Sequence, residues 1–297
     1  MKELSLQDKD TIRDALNAYC DNYTSRNRAS ESLSGVSAAT ISTILNSKYT
    51  SISDDMFVRI ATQIGYSFER WMLTESTAFK EINFVLADAQ MYKNVTWVVG
   101  DAGCGKTTAA IDYRKNHRNV FYILCSEDMK KSDFVREIAR QVGAPTDGTN
   151  LREMLEYAIG MIAFLNNPLI IFDEGDKLTD SVFNYFISIY NRLEGHSGIV
   201  FLSTDFIKRR MAGGLRYNKK GYKEINSRIG RRFFEVHATT QNDIYTICQA
   251  NGLTADSEIK KVLKDAEASE NDLRRVKKMV HAQKRIIESR NRKGDAE

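Results

Sequence analysis

Nowhere does the sequence reach the roughly 18 consecutive apolar residues that a membrane span needs. Its first residues, MKELSLQDKDTIRDAL, lack the apolar core of a signal peptide. A cytoplasmic protein without a membrane partner is therefore expected. Cysteine is scarce: Cys20, Cys104, Cys125 and Cys248 lie far apart and form no CxxC pair, which points to free thiols in a reducing compartment. The four histidines, His117, His196, His237 and His281, have no metal-ligand spacing. Only two prolines occur, with no internal repeat and no low-complexity segment. What remains is an ordinary globular composition, 42% hydrophobic and 28% charged, in 297 residues, long enough for about two domains.

A large excess of one charge is missing too. A formal net charge of +4 does not by itself imply nucleic-acid binding. Its distribution says more: residues 1–75 carry 8 Lys+Arg against 10 Asp+Glu, whereas residues 205–235 carry 10 against 3. Arg274 to Lys293 is basic again. Any electrostatic grip on phosphates lies mainly in the second half.

Apolar residues recur at helical spacing from Ile12 to Tyr19 and from Ile41 to Ile64. Arg28 to Leu33 reads as the first helix of a helix-turn-helix, Gly35 as the turn, and Ser37 as the cap of a second helix, Ala38 to Leu45. The outward face of that second helix offers Ser, Ala and Thr, with no Arg, Asn or Gln for a bidentate base contact. Three readings stay open: a bundle used for protein contacts, an auxiliary DNA contact through Thr40, Thr43, Lys48 and Tyr49, or an operator-reading repressor.

The strongest signal is GDAGCGKTT. A strand-like VTWVV, Val95 to Val99, runs into Gly100, Asp101, Ala102, Gly103, Cys104, Gly105, Lys106, Thr107 and Thr108, and a helical segment follows. This meets the GxxxxGK[ST] pattern, in which backbone N–H groups and a helix N-terminus cradle the phosphates of ATP. Lys106 is expected on the β- and γ-phosphates, and the Thr107 hydroxyl on Mg²⁺. In NPLIIFDEGDKL, Asp173 and Glu174 end an apolar strand, so Asp173 fits a second Mg²⁺ ligand and Glu174 the base that orients water. A third strand, GIVFLSTD, brings Thr204 beside the γ-phosphate if it lies between the first two, with Ser203 or Asp205 as alternatives. Arg228, before a last strand at Phe233 to Val236, suits an arginine finger reaching a neighbouring subunit. Arg274, opening a C-terminal helix, suits a contact to the subunit's own nucleotide. Both lie in basic runs, and Arg231 and Arg275 compete with them. The aromatic stripe of SVFNYFISIYNRL reads as core.

In this order the motifs resemble AAA+ ATPases, and more closely the target-selecting transposition ATPases of the phage Mu B type. The resemblance spans nearly the whole chain: ILNSKY, the P-loop with AAIDYRKNHRNVFYI, IIFDEGDKL, MAGG, SRIGRR and LRRVKKM. It implies an α/β fold, a parallel five-stranded sheet flanked by helices, preceded by a lambda-repressor-like all-α helix-turn-helix domain. The corresponding divisions are residues 1–75, a nucleotide-binding core 76–238 and a helical lid 239–297. It further implies an ATPase that assembles as a homo-oligomeric filament or ring on double-stranded DNA of any sequence and delivers it to a transposase. Lys208, Arg209, Arg210, Lys219, Lys220 and Lys223 form the expected DNA-binding patch. Relatives tend to carry Asn where this chain has Thr204. A helix-turn-helix transcriptional regulator and a helicase loader share parts of the pattern.

Overall fold

Serines decide where the first helices begin. In the computed structural model, which describes residue 4, residues 6–66 and residues 71–294, the N-terminal helices are α1 (Leu6–Cys20), α2 (Arg26–Glu31), α3 (Ala38–Leu45) and α4 (Asp54–Gln63). Ser25, Ser37 and Ser53 precede α2, α3 and α4 in extended backbone, and each side chain accepts the N–H three residues on. Each such cap contributes about 1 kcal/mol. Ile12, Leu16, Leu33, Ile41, Ile44, Phe57 and Ile60 close a small core of their own. Tyr49, a candidate DNA contact in the sequence, is used inside this unit: its hydroxyl donates to Asp10 and accepts from Arg13 at 3.3 Å. The Thr43 hydroxyl likewise donates to the carbonyl of Ala39.

The chain forms two compact units, Met1–Trp71 and Met72–Glu297. The second runs α5 (Thr77–Tyr92), β1 (Val95–Val99), α6 (Lys106–Asn116), β2 (Val120–Leu124), α7 (Lys131–Val142), α8 (Leu151–Phe164), β3 (Leu169–Asp173), α9 (Asp180–Leu193), β4 (Gly198–Ser203), α10 (Phe206–Arg216), α11 (Tyr222–Arg228) and β5 (Phe234–Glu235). Three helices follow, α12 (Gln241–Ala250), α13 (Asp256–Glu267) and α14 (Leu273–Gly294).

The five strands are parallel, in the order β2-β3-β4-β1-β5. A parallel sheet covered on both faces needs apolar residues in both directions, and every residue of β3 is buried. Ile170 and Phe172 join Trp97, Phe183, Phe186 and Phe201 on one face. Leu169 and Ile171 meet Ile82 and Leu86 of α5 and Ala109 and Ala110 of α6 on the other. The α9 aromatics are core, as their spacing implies. Trp97 stacks on Phe201, ring centroids 4.3 Å apart, and donates its indole N–H to Ser203 Oγ at 2.7 Å. The last strand is only two residues long, shorter than Phe233 to Val236. The strand order puts β4 between β1 and β3, the arrangement on which the placement of Thr204 depends.

Candidate functional site

Parallel α/β sheets bind ligands beyond the carboxyl ends of their strands. Here β1, β3 and β4 end side by side and deliver three short segments to one place. The first is the P-loop. Gly103 has φ +78°, and a Cβ on it would run into Asp272 Oδ1, so glycine is required on two counts. Lys106 opens α6, and its ammonium donates to the carbonyls of Gly100 at 2.7 Å and Asp101 at 2.8 Å, which folds the charge into the loop. The N–H groups of the first turn of α6 have no acceptor within the helix, and the helix dipole adds positive potential there. Cys104 is buried beneath the loop, and burial pushes its thiol pKa up despite the nearby Lys106.

From β3 comes Asp173, 1% exposed. Its Oδ2 accepts the hydroxyl of Thr107 at 2.7 Å and that of Tyr122 at 2.8 Å, while Oδ1 accepts the N–H of Glu174 at 2.9 Å. Burial, then the charge of Asp173 and the bond to it, raise the Tyr122 phenol far above its ordinary value, so it stays a donor. A hydroxyl and a carboxylate side by side next to a lysine-bearing loop are hard oxygen donors of the kind Mg²⁺ takes. Glu174 adopts the left-handed conformation (φ 55°, ψ 38°), and Lys177 holds its carboxylate at 2.6 Å. From β4 comes Thr204, which donates to Asp176 Oδ2 at 2.9 Å. Ser203, its alternative, is committed to Trp97 in the core.

The C-terminal helices reach the same loop. Leu273 N–H donates to the carbonyl of Gly103 at 3.1 Å, and Asp272 accepts the N–H of Arg274 at 2.7 Å. Arg274 is exposed at the start of α14, whereas Arg275 is clamped by both oxygens of Asp265 at 2.7 Å each.

Two expectations meet a different arrangement. Arg228 does not project: it lies over the Tyr190 ring, donates to Asn191 Oδ1 at 2.6 Å and sits 3.6 Å from Glu224. Arg231 and Arg232, just past the end of α11, are exposed. Arg210, expected on a DNA-facing patch, is turned inward because two helix starts supply acceptors for its whole fork. It donates to the Asp176 carbonyl at 3.0 Å, Asp180 at 2.7 Å and Tyr222 OH at 3.0 Å. Burial alone would raise the Asp180 pKa, but hydrogen bonds from Tyr222, Arg210 and Lys219 outweigh it and hold it at about 2. The Gly-Gly of MAGG belongs to this packing, since a Cβ on Gly214 would overlap the Tyr222 ring. Lys208 pairs with Glu235 at 2.6 Å, and Lys219 lies 3.3 Å from Asp180. Arg209, Lys220 and Lys223 are exposed, together with Arg216 and the adjoining Tyr217, which the sequence did not single out.

A P-loop at the end of β1, a buried carboxylate on the Thr107 hydroxyl at the end of β3, and a strand between them define an AAA-type P-loop nucleotide-binding fold. The AAA domain family matches residues 89–209. Among known proteins the chain is similar to B proteins of Mu-like phages. It is 26% identical over 248 residues to the Mu-like prophage FluMu DNA transposition protein B of Haemophilus influenzae, covering 81% of this chain and 85% of that one. It is 23% identical over 241 residues to the ATP-dependent target DNA activator B of Escherichia phage Mu and to that of Escherichia phage D108, covering 76% of this chain and 73% of each. Among solved structures the Aeropyrum pernix ORC1 protein, in complex with DNA, shares the fold with a TM-score of 0.52 at 15% identity over 74% of this chain and 67% of that one. No helix among the described residues is long and apolar enough to cross a membrane, and they contain no cluster of three metal-ligating side chains.

Proposed function

We propose that this protein is an ATP-dependent, largely sequence-nonspecific DNA-binding ATPase that assembles on duplex DNA in the cytoplasm and delivers it to a transposase. The observation that carries the reading is the Thr107–Asp173 pair beside the P-loop in a chain homologous to proteins named as target DNA activators. When bound, Mg²⁺ would supply positive charge against the phosphates of ATP during transfer of the γ-phosphoryl group to water. Thr107 and Asp173 hold the cation, and Lys106 lies where it can release two carbonyls for phosphate oxygens. Glu174, freed from Lys177, orients the attacking water and takes its proton. Thr204 meets the γ-phosphate from β4, and Arg274 meets the nucleotide from the lid.

The finger comes from the segment 228–232 of a neighbouring subunit. Arg228 must first leave Asn191 and Glu224, whereas Arg231 is already exposed. Arg209, Arg216, Lys220 and Lys223 give each subunit a modest basic face, and an array of subunits multiplies it. Each phosphate neutralised adds about 0.9 to the salt dependence of binding. The use of Tyr49 within the unit, with the unarmed face of α3, speaks against the N-terminal helices as an operator reader.

Electron microscopy and salt-titrated binding on plasmid DNA, with and without ATP, test the proposal. Regular, salt-sensitive assemblies that require ATP are expected. A protein that stays monomeric with ATP, Mg²⁺ and long duplex refutes it.

A further inference from the structure

We infer that Tyr122 is a positioning residue of the magnesium site: its phenol fixes the Asp173 carboxylate and so sets how tightly the divalent cation is held. The inference rests on the nucleotide-site reading above and adds a residue that no P-loop pattern calls for. Asp173 receives three donors, the Glu174 N–H on Oδ1 and the Thr107 and Tyr122 hydroxyls on Oδ2. The first comes from the next residue and the second from the P-loop itself. The third comes from another strand, 51 residues earlier.

Strand register makes that contact. Tyr122 stands opposite Ile171, and Leu124 opposite Asp173. Alternation along β3 puts Asp173 on the same face as Ile171, so Tyr122 is its diagonal neighbour. Over that distance an aliphatic side chain falls short, while a phenol reaches. The ring packs against the cluster that contains Leu169 and Ile171, which limits its freedom.

A carboxylate held from three directions cannot swing. Its orientation toward the cation is set when the protein folds rather than when the metal arrives. Partners that orient a metal ligand in this way matter strongly, and their loss costs about 10–100-fold in metal affinity or activity. Tyr122→Phe removes the donor and keeps the ring, so the packing of β2 against β3 is retained.

The test is Mn²⁺ binding, followed by electron paramagnetic resonance on the full chain with a non-hydrolysable ATP analogue. Wild type, Tyr122→Phe and Lys106→Ala are compared, alongside analogue affinity in EDTA. For Tyr122→Phe the expected result is unchanged analogue binding in EDTA with Mn²⁺ held about 10-fold more weakly. Mn²⁺ affinity within about two-fold of wild type overturns the inference. An equal loss of analogue binding in EDTA also overturns it, because the tyrosine then supports the loop as a whole. Failure of the nucleotide reading looks different: wild type and Lys106→Ala alike bind neither analogue nor metal, and the inference falls with it.

Discussion

Replacing Arg210 with glutamine separates two roles that the sequence cannot tell apart. In the structure Arg210 is a brace, 14% exposed in its side chain, and it joins the turn after β3 to the starts of α9 and α11. Glutamine removes one hydrogen bond between charged groups, worth about 1.5–3 kcal/mol, and up to two bonds to neutral oxygens, worth about 0.5–1.5 kcal/mol each. The Asp180 side chain is 45% exposed, so water relieves part of its loss, and the lower end applies. A destabilisation of about 2.5 kcal/mol corresponds to a fall in melting temperature of about 5–10 °C for a unit of this size.

Calorimetry of wild type, Arg210→Gln, Asp180→Asn and the double variant measures it, with a coupling above about 1 kcal/mol expected between the two sites. The pH dependence has a definite sign. The Asp180 pKa lies below its ordinary 3.8, so its contribution is present above that value and is lost as pH falls toward about 2. The variant, lacking the guanidinium, depresses the Asp180 pKa less and therefore loses less stability than wild type as pH falls from 3.8 toward about 2. Melting within about 2 °C of wild type combined with weakened DNA binding refutes the brace and returns Arg210 to the DNA face.

Three further outcomes follow from the site. Glu174→Gln keeps nucleotide and stays on DNA, with turnover reduced at least about 100-fold; wild-type phosphate release by this variant removes Glu174 from the role of base. Arg228→Ala and Arg231→Ala, each mixed with Lys106→Ala protein, identify the finger: the true finger variant regains hydrolysis in the mixture, and the other already hydrolyses alone. Gly103→Ala forces a β-carbon into a left-handed position against Asp272, at a cost of about 1–3 kcal/mol. Weakened nucleotide affinity by equilibrium titration is expected, and unchanged affinity shows that the lid yields without cost.

The parts of the site that one short segment specifies are legible in the sequence. GDAGCGKTT and IIFDEG carry their own strands, turn and reactive groups, and the α9 stripe declares its burial by periodicity. The capped start of α3 is equally plain, because Ser37 and the apolar spacing act within a few residues of each other. Where a side chain's partner is remote, the sequence is silent. Arg210 stands in a run of cations and looks solvent-facing; its acceptor Asp180 lies 30 residues earlier and is brought near only by the packing of α10 against the start of α9. Tyr122 looks like one more strand aromatic until β2 is registered against β3. Arg228 shares the difficulty, since Asn191 and Tyr190 belong to another helix.

The bond between Leu273 N–H and the Gly103 carbonyl carries a consequence for synthesis. At about 5–20 residues per second, a ribosome needs some 10–30 s after making the phosphate loop to reach its lid partner. Until then the loop lacks Asp272 and Leu273 against its tightest glycine. A nascent chain therefore carries an unfinished loop while the residues between them are made, and the contact that completes it waits for the lid segment.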